Sequence, residues 1–236
     1  MESSIKKVRN LFFSLFLFVS YGAYSFELEE YTYDYSSGKN TAQETLKKID
    51  NETWKMSSKI EHSIFQVTQE ATFKIVDNMV ILLNAYRKTR AFGGFRREKQ
   101  FFEVNYEKNE IYFEYNRKKG FIPFDCETMI DCRFFDNLTL QIQSKLALFK
   151  SEMPLSIDFN YLDKGLIKNK TFKMESMTDL DKEDEVNKIR FSEVRDDDKG
   201  FMLWFDPMKN FQTYKIYQDF GSQDLTWNLV SKPLGE

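Results

Sequence analysis

The chain has 236 residues, of which 34 are Lys or Arg and 37 are Asp or Glu, so its formal net charge at neutral pH is −3. A mildly acidic chain is a poor candidate for binding nucleic acid by phosphate neutralisation, and it has no overall charge that would hold it flat on an anionic membrane. The length fits one domain or a tight pair of domains and is ample for a hydrophobic core.

The N-terminus predicts a secretory signal. Basic residues precede an apolar run at residues 11–19, which is about half of the roughly 20 residues that a transmembrane helix needs. Small residues then occupy positions 23 and 25, the two positions before the cleavage site that signal peptidase recognises. We therefore predict a signal peptide at residues 1–25, no stable transmembrane anchor after its cleavage, and a single β-rich domain at residues 26–236. An uncleaved N-terminal anchor is the alternative.

In the first half of the mature chain, the residue pattern alternates with a period of two, as in β-strands. Tyr31, Tyr33 and Tyr35 fall on one face of an extended segment, and aromatic and β-branched residues dominate the segments that follow. The connections are too short for crossover helices, so the pattern predicts an antiparallel meander of about seven strands. These strands include residues 31–35, 54–60, 64–67, 71–76, 79–83, 99–106 and 111–115.

The strand pattern stops at residue 116, and we predict a loop from there to about residue 135. The chain's two cysteines, Cys126 and Cys132, both lie in this loop. An even number of cysteines in an exported chain predicts a disulfide, which here would close a short loop. Two free thiols are the alternative.

A single helix is predicted after the loop, capped by Asp136 or Asn137 and running to about residue 150. Leu138, Ile142 and Leu146 share one helical face. The strand pattern then resumes for about six strands, at residues 156–162, 166–176, 186–194, 200–205, 211–217 and 225–230. The predicted fold is mainly β: a single antiparallel, strongly curved sheet or half-open barrel, with one helix inserted mid-chain against the concave face.

Several segments, in this order and spacing, carry a family resemblance. They are residues 136–143 on the helix, Tyr-Leu-Asp-Lys-Gly at 161–165, Leu-Trp-Phe-Asp before a proline at 203–207, and Tyr-Lys-Ile at 214–216. The chain resembles the bacterial exported proteins of domain-of-unknown-function family 3108 over nearly all of its mature length. It departs from the family at Thr213, which stands where a proline is usual.

The resemblance implies a location in the periplasm of a Gram-negative cell and a sheet similar to the half-barrels of periplasmic lipoprotein carriers. It brings no assigned catalytic residues.

The most basic stretch of the chain surrounds a glycine pair. Gly93 and Gly94 lie between phenylalanines and are flanked by Arg90, Arg96 and Arg97. A hairpin turn explains the glycines without any function. The alternative is a cradle for an anionic headgroup or a partner, and these five residues are our candidate contact site.

Catalytic and metal-binding patterns are not found. His62 is the only histidine, so a mechanism that needs two histidines is excluded, and no Gly-x-Ser-x-Gly motif accompanies it. The acidic run at residues 179–185 lacks the spacing and the turn glycine of a calcium loop. We therefore predict no metal, no cofactor and no enzymatic activity.

Two functions are predicted from these features. The 24 phenylalanines either pack a solid core or line an apolar pocket, and the sequence leaves both open. In the first predicted function, which requires the apolar pocket, the curved sheet binds or carries an apolar, lipid-like ligand of the envelope. In the second the protein has no ligand and pairs with another envelope protein. An enzyme of unknown type is a third alternative.

Overall fold

A computed structural model describes residues 28–129, 131–149, 155–178, 187–196, 200–219 and 224–230. The predicted signal peptide and the acidic run at residues 179–185 lie outside these residues. Within the described ranges, no helix is both long and apolar enough to cross a membrane.

The first half of the domain is a meander of eight antiparallel strands. Its core side chains alternate along each strand: in β3, Trp54, Met56 and Ile60 are buried while Lys59 faces solvent. The strands are β1 (Tyr31–Ser37), β2 (Asn40–Lys48), β3 (Thr53–Glu61), β4 (Phe65–Val76), β5 (Met79–Ala91), β6 (Arg96–Asn105), β7 (Glu110–Tyr115) and β8 (Lys118–Pro123).

Two predicted features of this half were wrong. The two strands predicted at residues 64–67 and 71–76 are one strand, β4, which begins at Phe65, since the polar residues between them continue the same alternation. Strand β8 lies inside the predicted loop. Its sequence does not indicate a strand, because it contains two lysines, Gly120 and Pro123. A proline is tolerated there because β8 is at the edge of the sheet and pairs only with β7.

The predicted disulfide joins Cys126 and Cys132, whose Cα atoms are 5.0 Å apart. It closes the segment between β8 and the two-residue strand β9 (Phe134–Phe135).

Helix α1 (Asn137–Leu148) begins at a capping box. The Thr139 backbone N–H donates to Asp136 Oδ1 over 2.9 Å, and the Asp136 N–H donates to Thr139 Oγ1 over 3.0 Å. The helix contacts β3, β4, β5 and β9. It is buried on every side and not on the single predicted face, because Gln141, Ser144 and Lys145 are buried too.

The second half adds six antiparallel strands, and β15 pairs with β1 to join the two halves into one sheet. The fifteen strands of the described residues follow the order β8-β7-β6-β5-β4-β3-β2-β1-β15-β14-β13-β12-β11-β10-β9, and among them β9 and β10 form the one parallel pair. The additional strands are β10 (Leu155–Asp163), β11 (Leu166–Thr178), β12 (Asn187–Glu193), β13 (Met202–Asp206), β14 (Gln212–Asp219) and β15 (Asp224–Leu229).

The sheet curves until its two ends face each other, although it does not close. The turn between β10 and β11 lies across β5, β6 and β7. Its Lys164 N–H donates to Gln100 Oε1 over 3.1 Å, and Gly165 packs on the Phe113 ring so tightly that a Cβ atom would lie 2.7 Å from it. The fold is therefore mainly β, a strongly curved half-open barrel with one helix inside, as predicted.

Side chains fill most of the concave face. On β10, β11 and β12 the rings of Phe159, Phe172 and Phe191 are buried, and those of Phe172 and Phe191 stack with centroids 4.6 Å apart. Gln143 Oε1 accepts from the Val80 N–H over 2.8 Å and so ties the helix to the end of the barrel where β4 turns into β5. Among the described residues the barrel is packed around the helix, and a large cavity opens at its opposite end.

Candidate functional site

A cavity of about 730 Å³ opens at one end of the half-barrel. This volume is in the usual range for a small-molecule site. The cavity is formed where β4, β6 and β13 begin and where β5, β10 and β12 end. The apolar part of the lining includes Ile64, Phe65, Val67, Ala91 and Phe201, which come from the β4 and β5 side and from the start of β13.

The floor of the cavity is the beginning of α1. Asn137, the first helical residue, lines the cavity, and its Oδ1 accepts a hydrogen bond of 2.7 Å from the Tyr161 hydroxyl. The helix runs away from the cavity, so the partial positive charge at its N-terminus is directed towards the cavity.

A second, much smaller cavity of about 20 Å³ continues beneath the floor. Gln69, Asn137, Phe201 and Gln218 line both cavities. Among the described residues, Gln218 Oε1 and the indole N–H of Trp227 have no protein partner, and both residues line the small cavity. Its volume suffices for about one water molecule, which would satisfy these atoms.

Two buried ionisable side chains, Glu44 and Lys145, lie beside the helix, and Glu44 also lines the small cavity. Glu44 Oε2 accepts a hydrogen bond of 3.0 Å from Gln141, and Lys145 Nζ lies 4.8 Å from the centroid of the Tyr31 ring. Burial raises the pKa of the Glu44 carboxyl, and burial lowers the pKa of Lys145 to about 8. These groups hold the helix against β1 and β2 and do not line the large cavity.

Positive charge dominates the large cavity. Its described lining has six basic and three acidic residues: Arg87, Arg96, Arg97, Lys164, Lys170 and Arg195 against Glu98, Asp163 and Glu193. Such an excess within a concave, low-dielectric wall produces a positive potential that attracts anions.

Every acid in the lining belongs to an ion pair. Arg87 Nη2 lies 2.9 Å from Glu98 Oε1 and 3.3 Å from Asp163 Oδ1, and Lys168 Nζ is 2.7 Å from the other Asp163 oxygen. Glu193 pairs similarly with Lys170 at 3.0 Å. The acids therefore offset the deep cations, and the excess positive charge lies towards the rim.

Two groups of the lining, Asp163 and Tyr161, have pKa values shifted by their surroundings. Burial would raise the pKa of Asp163, but the hydrogen bond from Lys168 and the charge of Arg87 outweigh it and hold that pKa below its usual value. Burial raises the pKa of the Tyr161 hydroxyl well above its usual value. At neutral pH Asp163 is ionised and Tyr161 is protonated, so neither is poised for proton transfer.

The five predicted contact residues lie together at the end of β5, in the turn that follows and at the start of β6. Arg96 and Arg97 line the cavity, whereas Arg90, Gly93 and Gly94 are outside its lining. Gly93 and Gly94 have φ angles of 64° and 95°, so the turn itself requires glycine. Arg97 Nε donates to the Gly94 carbonyl over 3.0 Å.

Sequence reasoning missed the deeper charged residues Arg87, Asp163, Lys170 and Glu193. The alternation of inward and outward side chains along a strand could have identified them. Arg87, for example, shares the inward face of β5 with Ala85 and Thr89. A charged residue at an inward position of a strand points to a polar cavity or a buried ion pair.

His62 follows the last residue of β3 and lies outside the lining of the cavity. Its ring stacks on Phe65 with centroids 4.4 Å apart, and its Nδ1 accepts from the Ile64 N–H over 3.3 Å. The part of the chain that the structure describes contains no cluster of three His, Cys, Asp or Glu residues suited to a metal ion.

The fold and the cavity together define a half-open β-barrel protein with a basic pocket at one end. No family model matches the chain. No curated protein matches it either. Among solved structures it is similar to a β-barrel-like protein of domain of unknown function DUF1849 from Brucella abortus, with a TM-score of 0.49 and 8% sequence identity over 85% of this chain and 94% of that one.

Proposed function

We propose that the protein binds, without catalysis, a small amphipathic ligand that carries an anionic group. The observation that supports this most is the composition of the cavity, whose lining combines apolar side chains with an excess of basic residues. An acyl or aromatic moiety would lie on Phe65, Val67 and Phe201, and its anionic group would reach Arg96.

This proposal modifies the ligand expected from the sequence. A purely apolar ligand within the barrel has little room, because α1 and the phenylalanine cluster occupy the concave face. The remaining space lies at the open end and is partly polar. A ligand with both an apolar part and an anionic part fits such a site better than a hydrocarbon does.

The absence of catalysis is part of the proposal. The three acids of the described lining are held in ion pairs with Arg87, Lys168 and Lys170. General acid–base chemistry needs a group whose pKa lies near the working pH and which is free to take a proton, and a paired carboxylate is a poor candidate.

We also propose the cellular location of the protein from its sequence. The signal peptide at residues 1–25 would export the chain, and the resemblance to family 3108 favours the periplasm. A carrier or sensor of an acidic amphiphile of the cell envelope would suit that location.

A fluorescence titration with parinaric acid, a naturally fluorescent fatty acid, tests the proposal. The matched control ligand is its methyl ester, which has the same chain and no charge. A charge-assisted hydrogen bond contributes about 1.5–3 kcal/mol, so the acid should bind roughly ten- to a hundredfold more tightly than the ester.

Equal affinities for the acid and the ester would show that the basic rim does not select an anion. Failure to bind either ligand would favour the alternative in which the protein has no ligand and binds another protein of the envelope.

A further inference from the structure

The connection between β5 and β6 presents two phenylalanines to solvent. Within the β5–β6 tip, defined as residues 90–97, Phe92 is 55% exposed and Phe95 is 97% exposed. A single exposed apolar residue is ordinary on a protein surface. Two in one four-residue turn form a protruding apolar patch, for which a binding role is the usual explanation.

The turn holds these rings in a defined backbone conformation. The Phe92 N–H donates to the Ile64 carbonyl over 2.7 Å, and the Phe95 N–H donates to the Phe92 carbonyl over 3.3 Å. Phe92 has a φ of 51°, a left-handed conformation that is costly for a bulky side chain. The β5–β6 tip therefore keeps its aromatic rings outward at some cost in strain.

Cations of like charge lie opposite each other at and beside the tip, and their mutual repulsion is unfavourable in the free protein. Arg90 lies directly opposite Arg97 across β5 and β6, and Lys88 lies opposite Lys99. Like charges at directly opposed positions of an antiparallel pair destabilise each other. An anionic surface placed against them would remove the repulsion.

The neighbouring turn between β7 and β8 adds further positive charge. The Asn116 N–H donates to the Lys99 carbonyl over 2.7 Å and so fixes this turn beside β6. Arg117 and Lys118 are exposed there, and Lys119 is 2.8 Å from its partner Glu114. Several cations thus lie around two exposed rings at one end of an acidic protein.

We infer that the β5–β6 tip docks the protein on an anionic phospholipid surface. Phe92 and Phe95 enter the interface between headgroups and acyl chains, and the surrounding cations contact the lipid phosphates. The net charge of −3 does not oppose this, because screening limits the influence of distant acids to about 8 Å at physiological salt. Docking places the cavity mouth at the membrane, since Phe92, Arg96 and Arg97 line it.

A fluorescent label at the tip tests this inference on the full chain. Cys126 and Cys132 are bonded to each other, so Phe95→Cys provides a single thiol for the environment-sensitive fluorophore NBD. The matched control is Met208→Cys, which is 82% exposed in the turn after β13. That turn is at the opposite end of the barrel, because β13 runs away from Phe201 in the cavity.

The vesicles contain phosphatidylcholine with about one quarter phosphatidylglycerol, or phosphatidylcholine alone. On anionic vesicles the emission of the label at position 95 should shift to the blue and rise, while the label at position 208 should not change. Binding through the apolar run at residues 11–19 would leave both labels in water. An unchanged label at position 95, or an equal response on neutral vesicles, would overturn the inference.

A charge variant provides a second test that spares the cavity. Arg90→Gln combined with Lys118→Gln changes two exposed residues outside the cavity lining. Each cation near an anionic surface strengthens binding roughly fivefold, so this double variant should lose about 25-fold in affinity for the anionic vesicles. Undiminished affinity would contradict the inference. Binding of parinaric acid should be unaffected, so failure of the docking surface and failure of the proposed ligand site give different results.

Discussion

Replacing Phe172 with alanine is expected to lower the free energy of unfolding by about 3–5 kcal/mol. The Phe172 ring is fully buried, stacks on Phe191 and meets the edge of Phe159 at a centroid distance of 5.7 Å. Its removal leaves a cavity that neighbouring strands of one continuous sheet cannot close by shifting. Urea denaturation followed by circular dichroism measures the change.

Phe121→Ala is the matched control for this prediction, because Phe121 lies on the edge strand β8 and is 62% exposed. Its truncation should change stability by less than about 1 kcal/mol. Equal effects at the two positions would mean that the concave face is not packed as the structure describes.

Replacing Arg96 with glutamate is expected to weaken the binding of parinaric acid about a hundredfold or more. The change removes a cation from the rim and adds a carboxylate on the inward face of β6, next to Glu98. A lost charge-assisted hydrogen bond and a new repulsion both act against the anion. The titration of acid and methyl ester measures the effect, and the affinity for the ester should change far less.

Arg117→Glu is the matched control for Arg96→Glu. It makes the same change of charge at an exposed position of the β7–β8 turn outside the cavity lining. Its affinity for the acid should stay within about threefold of the unmodified protein, because exposed charges are well screened. If both variants lose affinity for the acid equally, then the overall charge of the protein, and not contacts within the cavity, controls binding.

Most of the fold could be predicted from local patterns. Aromatic and β-branched residues in alternation predicted the strands, and a cap at Asp136 or Asn137 predicted the start of the helix, which the structure places after Asp136. The helix was nevertheless expected to bury one face only. Its full burial depends on the sheet curling around Gln141 and Lys145, and no pattern within the helix itself reveals that.

The candidate site was predicted only in part. Arg96 and Arg97 were selected because they are basic and flank a glycine pair, and both line the cavity. The pairing of Arg87 with Asp163 joins residues 76 positions apart, and it forms only because the turn between β10 and β11 crosses β5. Such a contact depends on long-range curvature, which local periodicity does not encode.

Native mass spectrometry of the protein, purified without detergent from the cells that make it, shows whether the cavity holds an acidic amphiphile. We expect a fraction of the molecules to have extra mass, which is released on denaturation as an acidic amphiphile and is reduced in the Arg96→Glu variant. If the protein carries no such ligand, and takes none up when an extract of envelope lipids is added, the proposed binding function is wrong.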